Sequence, residues 1–271
     1  MHGTISVLRQ ARGPWEFLEF PLPDPEPGAI LVRVTYGNVC GSDLDGWRGD
    51  WILPDAVVAP INCALAQVIQ ALDSGGFRQG DSLVVQGAGG LGLNMIAAAR
   101  DMGAGLIIAV DGIPGRLSLA KEFGADYTVD MRECPSPADR IARVRELTNG
   151  QGVTHAADVA GARGVVAEGI DMLASGGTYL EIGSIVPGYT FPFDPDAACR
   201  RGLRFIAFMQ YDPRILPRAL DFVRRSRAYV PWEQVISHTF PLAAIQDAFE
   251  KAEWVGRDPI EAVITRAAVT P

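Results

Sequence analysis

The chain has 271 residues, is 48% hydrophobic, and carries 32 Asp and Glu against 24 Lys and Arg, a formal net charge of −8. That length and apolar content suffice for one large core, or one core with a smaller satellite; dispersed acids with no basic stripe exclude nucleic acid and an anionic membrane surface as main partners. Apolar runs stop well short of a bilayer span, the opening MHGTISVLRQ lacks a basic segment leading into an apolar one, and Cys40, Cys63, Cys134 and Cys199 form no C-x-x-C pair, so the expectation is a cytoplasmic protein with reduced thiols and no membrane association.

In chain order, residues 4–10 and 15–20 alternate weakly and predict two short strands. A proline-rich connector over 21–28 leads into a β-rich run over 29–36. The polar loop over 37–51 holds Asn38, Cys40, Ser42, Asp43 and Asp45. Val57, Ile61, Leu65, Val68, Ile69 and Leu72 recur at helical spacing and predict a helix over 54–73, ended by Gly75-Gly76.

Residues 81–111 organise the rest. The apolar run Ser82-Leu83-Val84-Val85 predicts a strand, and Gly87, Gly89 and Gly92 follow it with G-x-G-x-x-G spacing, ahead of an alanine-rich helix whose first turn holds Gly90 and Leu91. Gly87 permits the tight turn, Gly89 lets a pyrophosphate approach the backbone, and Gly92 lets helix and strand pack closely. The helix start offers unpaired N–H groups and a positive dipole end to phosphates. A second strand over 105–110 ends in Asp111, 19 residues beyond Gly92. An acid there accepts the adenosine ribose hydroxyls and repels a 2′-phosphate, so the expected cofactor is NAD rather than NADP. The competing reading is a glycine-rich turn in some other doubly wound protein.

Beyond Asp111 the pattern predicts helix 116–123, strand 126–130, helix 137–148, strand 153–159, helix 162–174, strand 178–182 and strand 203–208. Strands alternating with helices give an α/β doubly wound parallel sheet (Rossmann) with right-handed crossovers. An amphipathic helix over 242–252 and a closing strand over 259–265 are expected to rejoin the N-terminal strands. The expected division is a dinucleotide-binding domain over 65–208 and a reduced, mostly β catalytic remnant over 1–64 with 209–271.

Particular stretches carry a resemblance: Pro25-Glu26-Pro27-Gly28, Val39-Cys40-Gly41-Ser42-Asp43-Leu44, Gly80-Asp81, the glycine turn, Arg116-Leu117, Gly124-Ala125-Asp126, and Phe240-Pro241-Leu242 with Ala248-Phe249. Together they resemble the zinc-type alcohol dehydrogenases of the medium-chain dehydrogenase/reductase superfamily. The resemblance implies that Cys40 is a catalytic zinc ligand, that Ser42 passes on the alcohol proton, and that Asp45 stands where a relay histidine is common. It sets Cys63 where some members carry their last zinc ligand, and Arg116 beside the adenosine ribose. It also implies a nicotinamide ring near Ala160-Gly161, Ile185 and Phe208, and a homodimer, paired along the sheet edge by residues 188–193.

The departure is internal. Cys40 and Cys63 are only 23 residues apart, so the family's long segment with its Gly-His-Glu sequence and structural zinc lobe is missing, and with it a histidine ligand. No tightly bound metal is therefore expected, because a catalytic zinc takes three protein ligands and Cys40 and Cys63 are two. Ser42, Asp43 and Asp45 suit turn capping as well as proton relay. Trp47 and Trp51 suit either a pocket wall or a filler for the lost lobe. Two functions remain open: an NAD(H)-dependent oxidoreductase acting on a small alcohol or ketone at a cleft between sheet domain and remnant, and a dinucleotide-binding protein without net redox turnover.

Overall fold

The computed structural model describes residues 2–25, 31, 33–34, 37–39, 44, 47–48, 64–184, 188, 190–254 and 267–270. Strands β1 (His2–Leu8), β2 (Trp15–Pro21) and β3 (Gly37–Val39) come first. An alternating series follows: α1 (Ala64–Gly75), β4 (Ser82–Gln86), α2 (Gly90–Asp101), β5 (Leu106–Asp111), α3 (Pro114–Glu122), β6 (Tyr127–Asp130), α4 (Pro137–Leu147), β7 (Val153–Asp158), α5 (Val165–Met172), β8 (Leu173–Glu181), α6 (Pro195–Arg201) and β9 (Arg204–Ala207). Then come α7 (Leu216–Ser226), β10 (His238–Pro241), α8 (Ile245–Trp254) and β11 (Ala267–Thr270). The chain divides into two compact units, Met1–Ile61 with Ile236–Asp258 and Arg266–Pro271, and Asn62–Val235 with Pro259–Thr265.

The second unit is the expected doubly wound sheet. Its six strands run parallel in the order β6-β5-β4-β7-β8-β9. Successive strand residues point to opposite faces. Leu83, Val85, Ile107 and Ala109 accordingly enter one core with Leu72 of α1 and Leu93 and Ile96 of α2, while Val84, Ile108 and Val110 enter a second core with Val144 of α4 and Met172 of α5. A strand buried on both faces reads as a continuous apolar run, which is how β4 and β5 read in the sequence.

The domain boundary expected at 208 is corrected here. Ala219, Phe222 and Val230 lie in the same core as α1 and α2, so residues 209–235 pack with the sheet. The helix expected over 162–174 is also shorter: buried Leu173 takes extended dihedrals and starts β8, whose register against β7 then shifts between Val153 and His155. At the sheet edge stands β9. The segment 188–193 expected there forms no strand among its described residues, and Phe191 packs instead against the second core.

Among its described residues the first unit is mostly β. β1 and β2 form an antiparallel hairpin, and β11 lies between β10, to which it is parallel, and β3, to which it is antiparallel. Val39, Leu44, Trp47, Ala248, Phe249 and Val269 form its core. The Trp15 and Trp47 rings pack on Phe249 at centroid distances of 4.9 and 5.9 Å, so Trp47 fills this core and does not line a pocket. Trp51, most of the run over 29–36, residues 54–63 of the expected helix and the strand expected over 259–265 lie outside the described residues.

Candidate dinucleotide-binding site

In a parallel sheet the loops at the carboxyl ends of the strands gather at the point where strand order reverses. Here that point lies between β4 and β7, which are neighbours in the sheet though far apart in sequence. The turn after β4 adopts φ of +110° at Gly87, a conformation that favours glycine. A Cβ on Gly87 would lie 3.0 Å from that of Ala160, so the loops after β4 and β7 meet side by side. At Gly92 a Cβ would overlap the carbonyl oxygen of Gly87, and only glycine lets α2 start this close to the strand end.

Gly89 is the N-cap of α2 and supplies no capping side chain. The first N–H groups of the helix, in the turn holding Gly90 and Leu91, therefore face outward with the positive dipole end. Asp111, 7% exposed at the end of β5, braces this turn. Its Oδ2 accepts the Ala88 N–H at 2.8 Å, and its Oδ1 accepts the Ile113 N–H at 2.9 Å. Arg116, in the first turn of α3, brings Nη1 to 3.8 Å from Asp111 Oδ2 and to 3.9 Å from where a Cβ on Gly89 would stand. An ionised carboxylate has about four acceptor positions, so Asp111 retains capacity for ribose hydroxyls.

On the other side of the reversal the structure adds a group that the sequence reading passed over. Asp158 closes β7 and Glu181 closes β8, paired in register. Asp158 Oδ1 accepts the N–H groups of Ala160 (2.7 Å) and Gly161 (2.9 Å), and Glu181 Oε1 accepts the N–H of Ser184 (2.8 Å). Burial pushes both carboxyls above the usual carboxylate range, Glu181 to about 7 with the Asp158 charge as second cause. Phe208, half-buried just past β9, donates its N–H to the Glu181 carbonyl at 2.9 Å. An acid ending an apolar strand run, twice over, is the signal the sequence offered.

The sequence-derived residues Gly87, Gly89, Gly90, Leu91, Gly92, Asp111, Arg116, Ala160, Gly161 and Phe208 thus all belong to the sheet unit, at or just beyond the carboxyl ends of β4, β5, β7 and β9. Ile185, Cys40, Ser42, Asp43, Asp45 and Cys63 lie outside the described residues. His155 is buried in β7 with its ring 3.0 Å from Thr154 Oγ1 and 3.2 Å from the Gly75 carbonyl.

A doubly wound sheet whose first crossover starts in such a glycine cradle defines the Rossmann class of α/β proteins. The profile of the zinc-binding dehydrogenases matches residues 90–225, and the chain belongs to that family, the zinc-type alcohol dehydrogenase branch of the medium-chain dehydrogenase/reductase superfamily. It is 33% identical over 186 residues to an alcohol dehydrogenase of Cupriavidus necator, covering 63% of this chain and 50% of that protein. To a D-xylulose reductase A of Aspergillus niger it is 32% identical over 196 residues, covering 72% of this chain and 52% of that one. The matched stretch thus spans about half the length of these curated relatives. The crystal structure of an alcohol dehydrogenase from Thermotoga maritima superposes with a TM-score of 0.85 over 100% of both chains at 22% identity, a likeness of fold.

Proposed function

We propose that the protein is an NAD(H)-dependent oxidoreductase that interconverts a small alcohol and its ketone or aldehyde without catalytic zinc. One observation carries this reading: the cradle at the start of α2 in which a Cβ on Gly92 would overlap Gly87, with the helix uncapped by any side chain and Asp111 beside it. The kinship with alcohol and polyol dehydrogenases supports the substrate class. When bound, the dinucleotide supplies the acceptor for the hydride of the alcohol carbon. In this reading the Gly87–Gly92 turn holds the pyrophosphate, Asp111 and Arg116 hold the adenosine ribose, and Ala160, Gly161, Ile185 and Phe208 line the nicotinamide. Ser42 donates a hydrogen bond to the substrate oxygen and Asp45 receives its proton, a pairing worth about a hundredfold to ten-thousandfold in rate. The missing Gly-His-Glu segment is the reason to route no step through zinc.

That same loss favours one other reading, a protein that uses or senses NAD(H) without net turnover, since the family's histidine ligand and much of its substrate wall go with the segment. The proposed assembly is a homodimer paired along β9, and the proposed location is the cytoplasm. Absorbance turnover of NADH across alcohols, polyols and aldehydes separates the readings. The expected result is modest activity that survives chelators, substoichiometric zinc, and a loss of about a hundredfold or more in Ser42→Ala with cofactor affinity unchanged. One zinc per chain with chelator-sensitive turnover restores the metal mechanism on Cys40 and Cys63. NADH binding with no turnover on any substrate favours the second reading.

A further inference from the structure

Where β7 and β8 end, two acids meet in a place built to hold them. Asp158 is fully buried, and besides its two backbone donors its Oδ2 accepts the Ser184 hydroxyl at 3.3 Å. Glu181 Oε2 is also buried, and no N–H or hydroxyl of the described residues reaches it. Its neighbour in the register of the sheet is Asp158, and Ser184 ties the two together, its N–H donating to Glu181 Oε1 and its hydroxyl to Asp158 Oδ2. Ionised carboxylates only accept, so neither acid can satisfy the other unless one of them carries a proton. The backbones above the pair also touch. A Cβ on Gly161 would overlap the Gly183 carbonyl, and one on Gly183 would stand 2.7 Å from Asp158 Oδ1.

We propose that Asp158 and Glu181 hold one proton between them and, as positioning residues, clamp the loop after β7 to the loop after β8, so that the nicotinamide end of the dinucleotide site is formed only while that proton is present. The inference rests on the dinucleotide-binding reading above. Two buried like charges cannot both ionise at contact distance without large cost. The donors on the pair are the Ser184 hydroxyl and the N–H groups of Ala160, Gly161 and Ser184. From the flanking strands, β4 presents neutral Gln86, itself bonded to Tyr179 and to the Val165 carbonyl, and β9 ends in Ala207, with Phe208 just past it. Arg163, farther along the loop, is exposed. Apart from it, none of these described groups carries a positive charge to neutralise a second negative one. Once the proton leaves, above a pH of about 7, the two carboxylates repel and the glycine contact opens.

The test titrates the intact protein with NADH and with ADP-ribose, which lacks the nicotinamide, from pH 6 to 9 by calorimetry. The expected NADH affinity falls about tenfold or more between pH 7 and 8.5, following the protonated fraction, while ADP-ribose affinity stays level. In Glu181→Gln, whose amide stays neutral and can donate to Asp158, the NADH profile is expected to flatten at the low-pH affinity. The wild-type comparison of the two ligands stands even if that variant misfolds. An NADH affinity independent of pH, or a parallel fall for both ligands, overturns the clamp. If neither ligand binds at any pH, the dinucleotide reading itself falls and the clamp with it.

Discussion

Asp111 does two things at one position. Its two oxygens hold the Ala88 and Ile113 N–H groups and so fix the glycine turn, and its remaining acceptor capacity suits a ribose diol. A 2′-phosphate there meets a largely buried carboxylate. We expect NAD(H) to bind at least about tenfold more tightly than NADP(H), a difference of about 1.4 kcal/mol that a single unfavourable charge contact supplies. Calorimetry with both cofactors checks this, and equal affinities would remove Asp111 from its assigned role. Gly87, Gly89, Gly92 and Asp111 were legible because their chemistry depends on spacing along the chain. Glu181 was not, because its meaning comes from standing opposite Asp158 in the sheet, and register between strands is not written in either strand alone. The Cys40 to Asp45 loop rests on resemblance and sequence, outside the described residues.

Most elements of the sheet unit were readable from apolar runs and turn glycines, but α7 was not. Its sequence LPRALDFVRRS is rich in arginine, starts beside two prolines, and buries only Ala219, Phe222 and Ser226. Phe222 nevertheless reaches the core, with its ring 5.4 Å from that of Trp232, which also meets Phe123 at 5.9 Å. Trp232 Nε1 donates to Ser226 Oγ at 3.0 Å and closes the arrangement. Arg218 and Arg225 reach Asp73 of α1 and Asp101 of α2, but exposed ion pairs of this kind contribute little. Phe222→Ala is therefore expected to destabilise the sheet unit by about 3–5 kcal/mol, the usual cost of removing a buried phenylalanine side chain. Denaturant unfolding measures it. A change within about 0.5 kcal/mol, typical of surface positions, would mean that α7 is an appendage and that the boundary at 208 was right.

At the scale of the whole molecule, β9 is an edge strand of the six-stranded sheet among the described residues. Phe205 on that strand is 47% exposed and stacks on Tyr179 at 5.5 Å with the rings 14° apart. An edge strand carrying an exposed aromatic ring invites pairing, and two copies related by a twofold axis satisfy it symmetrically. We expect sedimentation to give a dimer at micromolar concentration and Phe205→Lys to shift it toward monomer. A wild-type monomer counts against the pairing. The first unit poses a different problem, one of timing, because its β3 pairs with β11 from the far end of the chain, Val39 opposite Ala267. Synthesis at roughly 5–20 residues per second puts about ten to fifty seconds between those two strands leaving the ribosome. The six strands of the central sheet have all emerged by then, while β3 still waits for its partner. Anything that slows elongation prolongs the interval in which β3 is open to the wrong one.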